Sequence, residues 1–135
     1  MADFIYDLGR KAFMDGDIAI LTDNIKTVLV DTATYTANQA TDQFLDDIGA
    51  GERVATSGNM ASKTSTAGVF DAADITYSSV TGDVSEALVI YKDTGVAATS
   101  PLLAYIDSAT GLPVTPNGGD ITITWDSGAN KIFKL

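Results

Sequence analysis

Apolar and polar positions alternate most regularly near the end of the chain, where Ile121, Ile123 and Trp125 interleave with Thr122, Thr124 and Asp126. Successive side chains of a strand point to opposite faces, so a period of two marks a strand with one buried and one wet face. Residues 87–91 (ALVIY) show no polar alternation and form the most apolar run. That predicts a central strand buried on both faces. Residues 102–106 (LLAYI) predict its antiparallel neighbour, and Ile132 and Phe133 close the chain. Earlier, residues 25–30 (IKTVLV) are rich in β-branched side chains and end at Asp31, which predicts another strand. Shorter strands are predicted over 53–56, 68–70 and 75–80, and the small polar residues 60–66 read as an exposed edge strand or connector. Turn formers separate these runs, among them Ser57-Gly58-Asn59, Thr81-Gly82-Asp83 and Asp93-Thr94-Gly95.

Two segments follow a different period. Phe4, Ile5, Leu8, Ala12 and Phe13 recur at steps near three and four, with Asp3 placed as a cap and Gly16 as a stop. Residues 1–14 therefore read as a short amphipathic helix, or equally as an arm that docks on a neighbouring subunit. Phe44, Leu45 and Ile48 predict one helical turn capped by Thr41 or Asp42. Residues 32–43 are polar and Thr/Ala-rich and read as an exposed loop. Turn signals about every ten residues favour an antiparallel sheet protein over alternating β/α units. The expected fold is mainly β: an antiparallel β-sandwich or jelly-roll-like barrel of about eight or nine short strands with a short N-terminal helix or arm. All 135 residues form one domain.

Composition narrows the function classes. The net charge is −10, from 18 acidic against 8 basic residues, and every acid except Glu52 and Glu86 is Asp. Asp favours turns and caps where Glu favours helix interiors, so the bias agrees with many loops and few helices. The basic residues are scattered from Arg10 to Lys134, so no patch exists to neutralise phosphates and nucleic acid is not an expected partner. No run approaches the ~18 apolar residues of a membrane span. Asp3, Asp7, Asp15 and Asp17 interrupt any signal-peptide core, so no membrane association is expected.

Candidate chemistry is sparse. The chain has no His and no Cys, and neither a G-x-S-x-G elbow nor a phosphate-binding loop occurs. Gly49-Ala50-Gly51 starts like a dinucleotide fingerprint, but Val54 stands at the third glycine position. The carboxylate pairs Asp15/Asp17, Asp46/Asp47 and Asp71/Asp74 sit in turn contexts that call for backbone capping. Asp15, Asp17, Asp23 and Asn24 supply oxygen atoms of the kind calcium takes, but lack the EF-hand order and a bidentate Glu, so they read as a solvated acidic loop. No catalytic residue, metal or cofactor is expected. Trp125, in step with Ile121 and Ile123, is expected in the core, and Tyr77, Tyr91 and Tyr105 in the core or a subunit interface. Tyr35, an aromatic inside a polar loop, is the candidate for an exposed contact.

The segments DGDIAILTDNIKTVLVDTATYT, FLDDI, GVFDAADITYSSVTG and EALVIYKDTG, taken in this order and spacing, resemble a family of small tailed-bacteriophage virion proteins along essentially the whole chain. After Gly16-Asp17-Ile18 the chain departs from the family pattern: Ala19-Ile20 stands where an Asp-Trp pair is expected. The change makes this segment more apolar and suits burial against another subunit. The resemblance implies a non-enzymatic virion component assembled in the host cytoplasm. The leading expectation is a capsid decoration (cement) protein that binds the outside of the head shell and stabilises it. Its partners would be the major capsid protein and its own copies, as a homo-oligomer, with a trimer as the order the resemblance implies. The alternative is a tail or fibre-associated structural protein with tail proteins as partners. A virion-surface carbohydrate-binding module, using Tyr35 and loop Asp residues, ranks third. The interface candidates are Phe4, Ile5, Leu8, Phe13, Ile18, Ile20 and Tyr35.

Overall fold

In the computed structural model, which describes residues 3–135, the two longest apolar runs lie side by side. Strands β2 (Ile25–Val30) and β7 (Ala87–Lys92) pair antiparallel along their whole length, from Ile25 opposite Lys92 to Val30 opposite Ala87. Strand β8 (Leu102–Ile106) pairs with the other side of β7. Two edge strands complete this sheet: β1 (Phe4–Ile5) beside β8, and β3 (Arg53–Thr56) beside β2. The order is β1-β8-β7-β2-β3, and all four pairings are antiparallel. Register shifts occur between Leu29 and Val30 on β2 and between Ile90 and Tyr91 on β7. Each lets a neighbouring strand carry one extra residue, the bulge that raises local twist.

Two hydrophobic clusters lie on opposite faces of this sheet, because alternate residues of each strand point oppositely. Ile25, Leu29, Leu88 and Ile90 belong to one cluster; Val28, Val30, Ala87, Val89 and Tyr91 belong to the other. β7 thus lacks charged positions from Ala87 to Tyr91 because neither face of that stretch meets water. Each fully buried Leu or Ile here contributes about 1.5–3 kcal/mol.

The first cluster is covered by two smaller sheets. One joins β4 (Thr64–Thr66), β5 (Val69–Asp71) and β10 (Phe133–Lys134) in the order β10-β5-β4. The other pairs β6 (Ile75–Tyr77) with β9 (Ile121–Ile123). Phe70, Phe133, Ile75, Tyr77, Ile121, Ile123 and Trp125 point into this cluster, while Thr76, Thr122 and Thr124 stay exposed, as the period of two predicts. The indole Nε1–H of Trp125 donates to the Ala73 carbonyl at 3.0 Å, which satisfies the ring's one polar group. Thr27, the polar residue of β2, is buried and shares a hydrogen bond with the Tyr77 hydroxyl.

The second cluster is covered by residues 31–48, whose Tyr35, Leu45 and Ile48 pack down onto the sheet. This segment includes a 3-10 turn at Leu45–Asp47. Asp47 caps that turn, accepting from the Gln43 and Phe44 amides at 2.7 and 3.0 Å. The expected caps Thr41 and Asp42 do not serve there; Asp42 instead accepts from the Tyr35 hydroxyl and the Asn38 amide.

Three further expectations change. The sheets do not close into a jelly-roll-like barrel, because β1 and β3 leave both edges of the large sheet unjoined. The described residues form ten strands rather than eight or nine, and β1, with two residues too few to show a period, is the one without a counterpart among the expected runs. At the N-terminus, residues 4–13 are not one helix: β1 comes first, and helix α1 spans Asp7–Met14. Asp3 does not cap that helix but accepts from the Asp107 and Ser108 amides at the end of β8. Nor is the segment a free arm. Ile5 and Tyr6 are buried, and the Tyr6 amide continues the ladder to the Leu103 carbonyl at 3.0 Å. At Gly9 the helix lies so close to β8 that a Cβ would stand 2.5 Å from the Leu102 carbonyl oxygen.

Candidate functional site

The fold gathers three of the sequence-nominated interface residues into one place. Phe13 leaves the end of α1, and Ile18 and Ile20 follow on the turn that leads to β2. Gly16, with φ of 80°, makes the bend that returns the chain. Opposite them stand Ser65 and the β4–β5 turn, with Phe133 and Leu135 from the C-terminus. Together they line an apolar cleft of about 330 Å³. Ile18 is buried at its floor, Phe13 and Ile20 are half-buried, and Leu135 is 53% exposed. Met14 and Leu21, the neighbours of Phe13 and Ile20 in sequence, are 86% and 49% exposed. Exposed large apolar side chains grouped in this way mark an interaction surface more often than an accident of packing.

β4 forms one rim of the site and is an open sheet edge. Thr66 and Val69 close a two-residue turn, so the next pair, Ser65 opposite Phe70, is the non-hydrogen-bonded one. The Ser65 N–H and C=O therefore point away from the sheet, and Thr64, Ser65 and Thr66 are all exposed. The β1 edge is different. Its Ile5 carbonyl accepts from Gln39 Nε2 at 3.1 Å and Arg10 Nη1 at 3.4 Å, which blocks strand addition. A second groove of about 350 Å³ runs between β1 and β10, lined by Phe4, Ile5, Arg10, Lys131 and Lys134 among others.

The remaining nominated residues lie elsewhere. Phe4 stacks on Tyr105 with ring centroids 5.0 Å apart, and Leu8 is half-buried on α1. Tyr35 is not an exposed contact: it is 3% exposed, on the opposite face of the large sheet. Its hydroxyl donates to Asp42 Oδ2 at 2.7 Å and lies 2.8 Å from the Tyr6 hydroxyl, which leaves Tyr6 as the donor in that pair. Burial pushes both phenols well above their usual range. The carbohydrate reading loses its aromatic platform with this placement.

The candidate carboxylates have local duties. Asp15 pairs with Lys11, Asp71 accepts from the Ala72 amide and Asp74 from the Trp125 amide at 3.0 Å. Burial pushes the Asp23 carboxyl up, but the Ala19 amide and Lys92 ammonium outweigh it and hold it below the usual range. The Lys26 ammonium, 2.8 Å away, and the Gly95 amide hold Asp93 low. Asp107 is pushed the other way, by burial and by the Asp3 carboxylate beside it. Among the described residues no three His, Cys, Asp or Glu side chains come together as metal ligands. No helix among them is long and apolar enough to cross a membrane.

Sequence reasoning nominated Phe13, Ile18 and Ile20 by their apolarity, but missed Ser65, Phe133 and Leu135. Nothing local marks those three, since only the β10–β5 pairing carries the C-terminus to the cleft. The sequence matches no protein-family model and, at a significant level, no curated protein.

Proposed function

We propose that this chain is a bacteriophage capsid decoration protein that binds the outside of the head shell and stabilises it as a homo-oligomer, with a trimer as the expected order. On this reading the architecture is a β-sandwich, the large sheet forming one layer and the two smaller sheets the other. The observation that carries the reading is the exposed apolar cleft of Phe13, Ile18, Ile20 and Leu135 on an otherwise acidic, turn-rich β-domain. Support also comes from the four segments whose order and spacing resemble virion proteins. Such a surface suits assembly with a protein lattice, where many copies each add a modest contact. The acidic body keeps free copies apart before assembly.

Quantitative mass spectrometry of separated heads and tails, normalised to the major capsid protein, tests the assignment. Copy numbers on the scale of the shell lattice, travelling with heads, are expected. A few copies travelling with tails would replace the assignment with a tail or fibre-associated role.

A further inference from the structure

We infer that Asn117 is a site of spontaneous covalent modification, closing to a cyclic imide that opens to aspartate or isoaspartate, and that hydrogen bonds between its turn and Val80 keep it intact in the folded chain. The site is independent of the virion assignment.

Two adjacent residues set the chemistry. An asparagine carboxamide carbon and the backbone nitrogen of the next residue can close a five-membered ring. Where that residue is glycine, no Cβ hinders the approach and the backbone turns freely. Among Asn24, Asn38, Asn59, Asn117 and Asn130, only Asn117 is followed by glycine. Asn117, Gly118 and Gly119 are all exposed, so water reaches the site. In the first step the Gly118 nitrogen bonds to Cγ of Asn117, the Cγ–Nδ2 bond breaks, and ammonia leaves with the proton of the Gly118 amide. Water then opens the imide. Cleavage between Cγ and the nitrogen gives aspartate. Cleavage between the Asn117 backbone carbonyl and the nitrogen gives isoaspartate, with the chain running through Cγ. The sum is amide plus water to acid plus ammonia, with no oxidant or cofactor.

The fold governs the rate through the Gly118 nitrogen. It attacks after losing its proton, the ionisation that amide hydrogen exchange also requires, and a hydrogen-bonded amide exchanges when the structure opens locally. The Gly118 N–H donates to the Val80 carbonyl at 2.7 Å, and the Val80 N–H donates back to the Gly119 carbonyl at 2.9 Å. Beside them Asp120 Oδ1 accepts from the Ser79 amide at 2.9 Å. Val80 is buried in the first hydrophobic cluster and anchors this clasp. The carboxamide is held as well, its Oδ1 accepting from the Gly119 amide at 3.0 Å. The reactive pair is thus locked in a turn and released when residues 79–80 and 117–120 part. Isoaspartate adds one carbon to the main chain at position 117, which shifts Gly118 and Gly119 out of register with Val80. A copy that has opened and reacted in this way no longer closes the clasp as before.

Incubation of the full chain in mildly alkaline buffer, folded and in guanidinium chloride, tests this. Peptide mapping separates asparagine, aspartate and isoaspartate at each position. Conversion is expected at Asn117 ahead of the other asparagines, and slower in the folded chain than in denaturant by about tenfold or more. D120A removes the Ser79 contact and should speed conversion in a chain whose circular dichroism stays native. Asn117→Gln, whose longer side chain would need a six-membered ring, should stay an amide throughout. Equal rates with and without denaturant, an unchanged or slower rate in folded D120A, or earlier conversion at another asparagine would each overturn the inference.

Discussion

Ala67 occupies the first central position of the β4–β5 turn with φ of 51°, and Gly68 follows with φ of 83°. Two positive φ values in a two-residue loop are the mirror-image turn whose twist suits a hairpin, and the sequence preferred there is Asn-Gly. An L-alanine in this region carries a steric cost that Asn offsets by local hydrogen bonding. Ala67→Asn is therefore expected to raise unfolding free energy by about 1 kcal/mol, measured by urea denaturation. Gly9→Ala should act in the opposite direction. Alanine favours helix, but the added Cβ would meet the Leu102 carbonyl at 2.5 Å, so α1 must shift off β8. The expected loss is about 1–3 kcal/mol, as for other overpacked sites. Tyr35→Phe removes the middle member of the Tyr6–Tyr35–Asp42 chain and leaves a buried phenol without its acceptor. About 1–3 kcal/mol should be lost, and wild-type stability in this variant would show that the chain of hydroxyls is dispensable.

At the scale of elements, the N-terminal segment and the 31–48 layer complete the large sheet. β1 lies against β8, Tyr6 contributes to the second hydrophobic cluster, and Ala12 of α1 contributes to the first. Removing residues 1–14 should therefore expose both clusters. The truncated chain is expected to lose its cooperative thermal transition in near-ultraviolet circular dichroism. A sharp transition at the wild-type temperature would instead return the segment to the status of a detachable arm. The covering layer explains why Tyr35 is buried. A strand as evenly apolar as β7 requires cover on both faces, and the polar loop supplies it through a few large side chains. Read alone, the loop composition says surface; read against β7, it says lid.

For the whole molecule, acid sensitivity follows from the paired carboxylates. Asp23 and Asp93 are held below the usual range in the folded chain, so they bind protons more weakly there than in the unfolded chain. Their contribution is fully present above the ordinary Asp value of about 3.9 and is lost as pH falls through their folded values. Asp107 acts with the opposite sign, because its raised value makes ionisation unfavourable to the fold. Two groups against one, with Asp23 and Asp93 in ion pairs, predict a melting temperature that falls below about pH 4. Asp93→Asn should melt lower than wild type near neutral pH and show a shallower fall on acidification. An unchanged pH slope would mean that other carboxylates set it.

The central strands were legible because their information is local. An unbroken apolar run over β7, β-branched residues over β2 and a period of two through Ile121, Ile123 and Trp125 each require only neighbouring positions. The same holds for the acidic balance and for Phe13, Ile18 and Ile20 as apolar residues in search of cover. Two-residue strands cannot display a period, so β1 emerged only through its partners Tyr105 and Ala104, and the closing run at Ile132 and Phe133 found its place only through Phe70 and Val69. The cleft belongs to this second kind of information. Its far wall comes from residues 65–70 and 133–135, which reach Phe13 only because antiparallel pairing is a contact between distant positions. Sequence alone determined that the apolar strand runs must leave water; tertiary pairing decided that Tyr35 joins them and which buried side chains share a surface, because those choices depend on strand order and register rather than on the residues themselves.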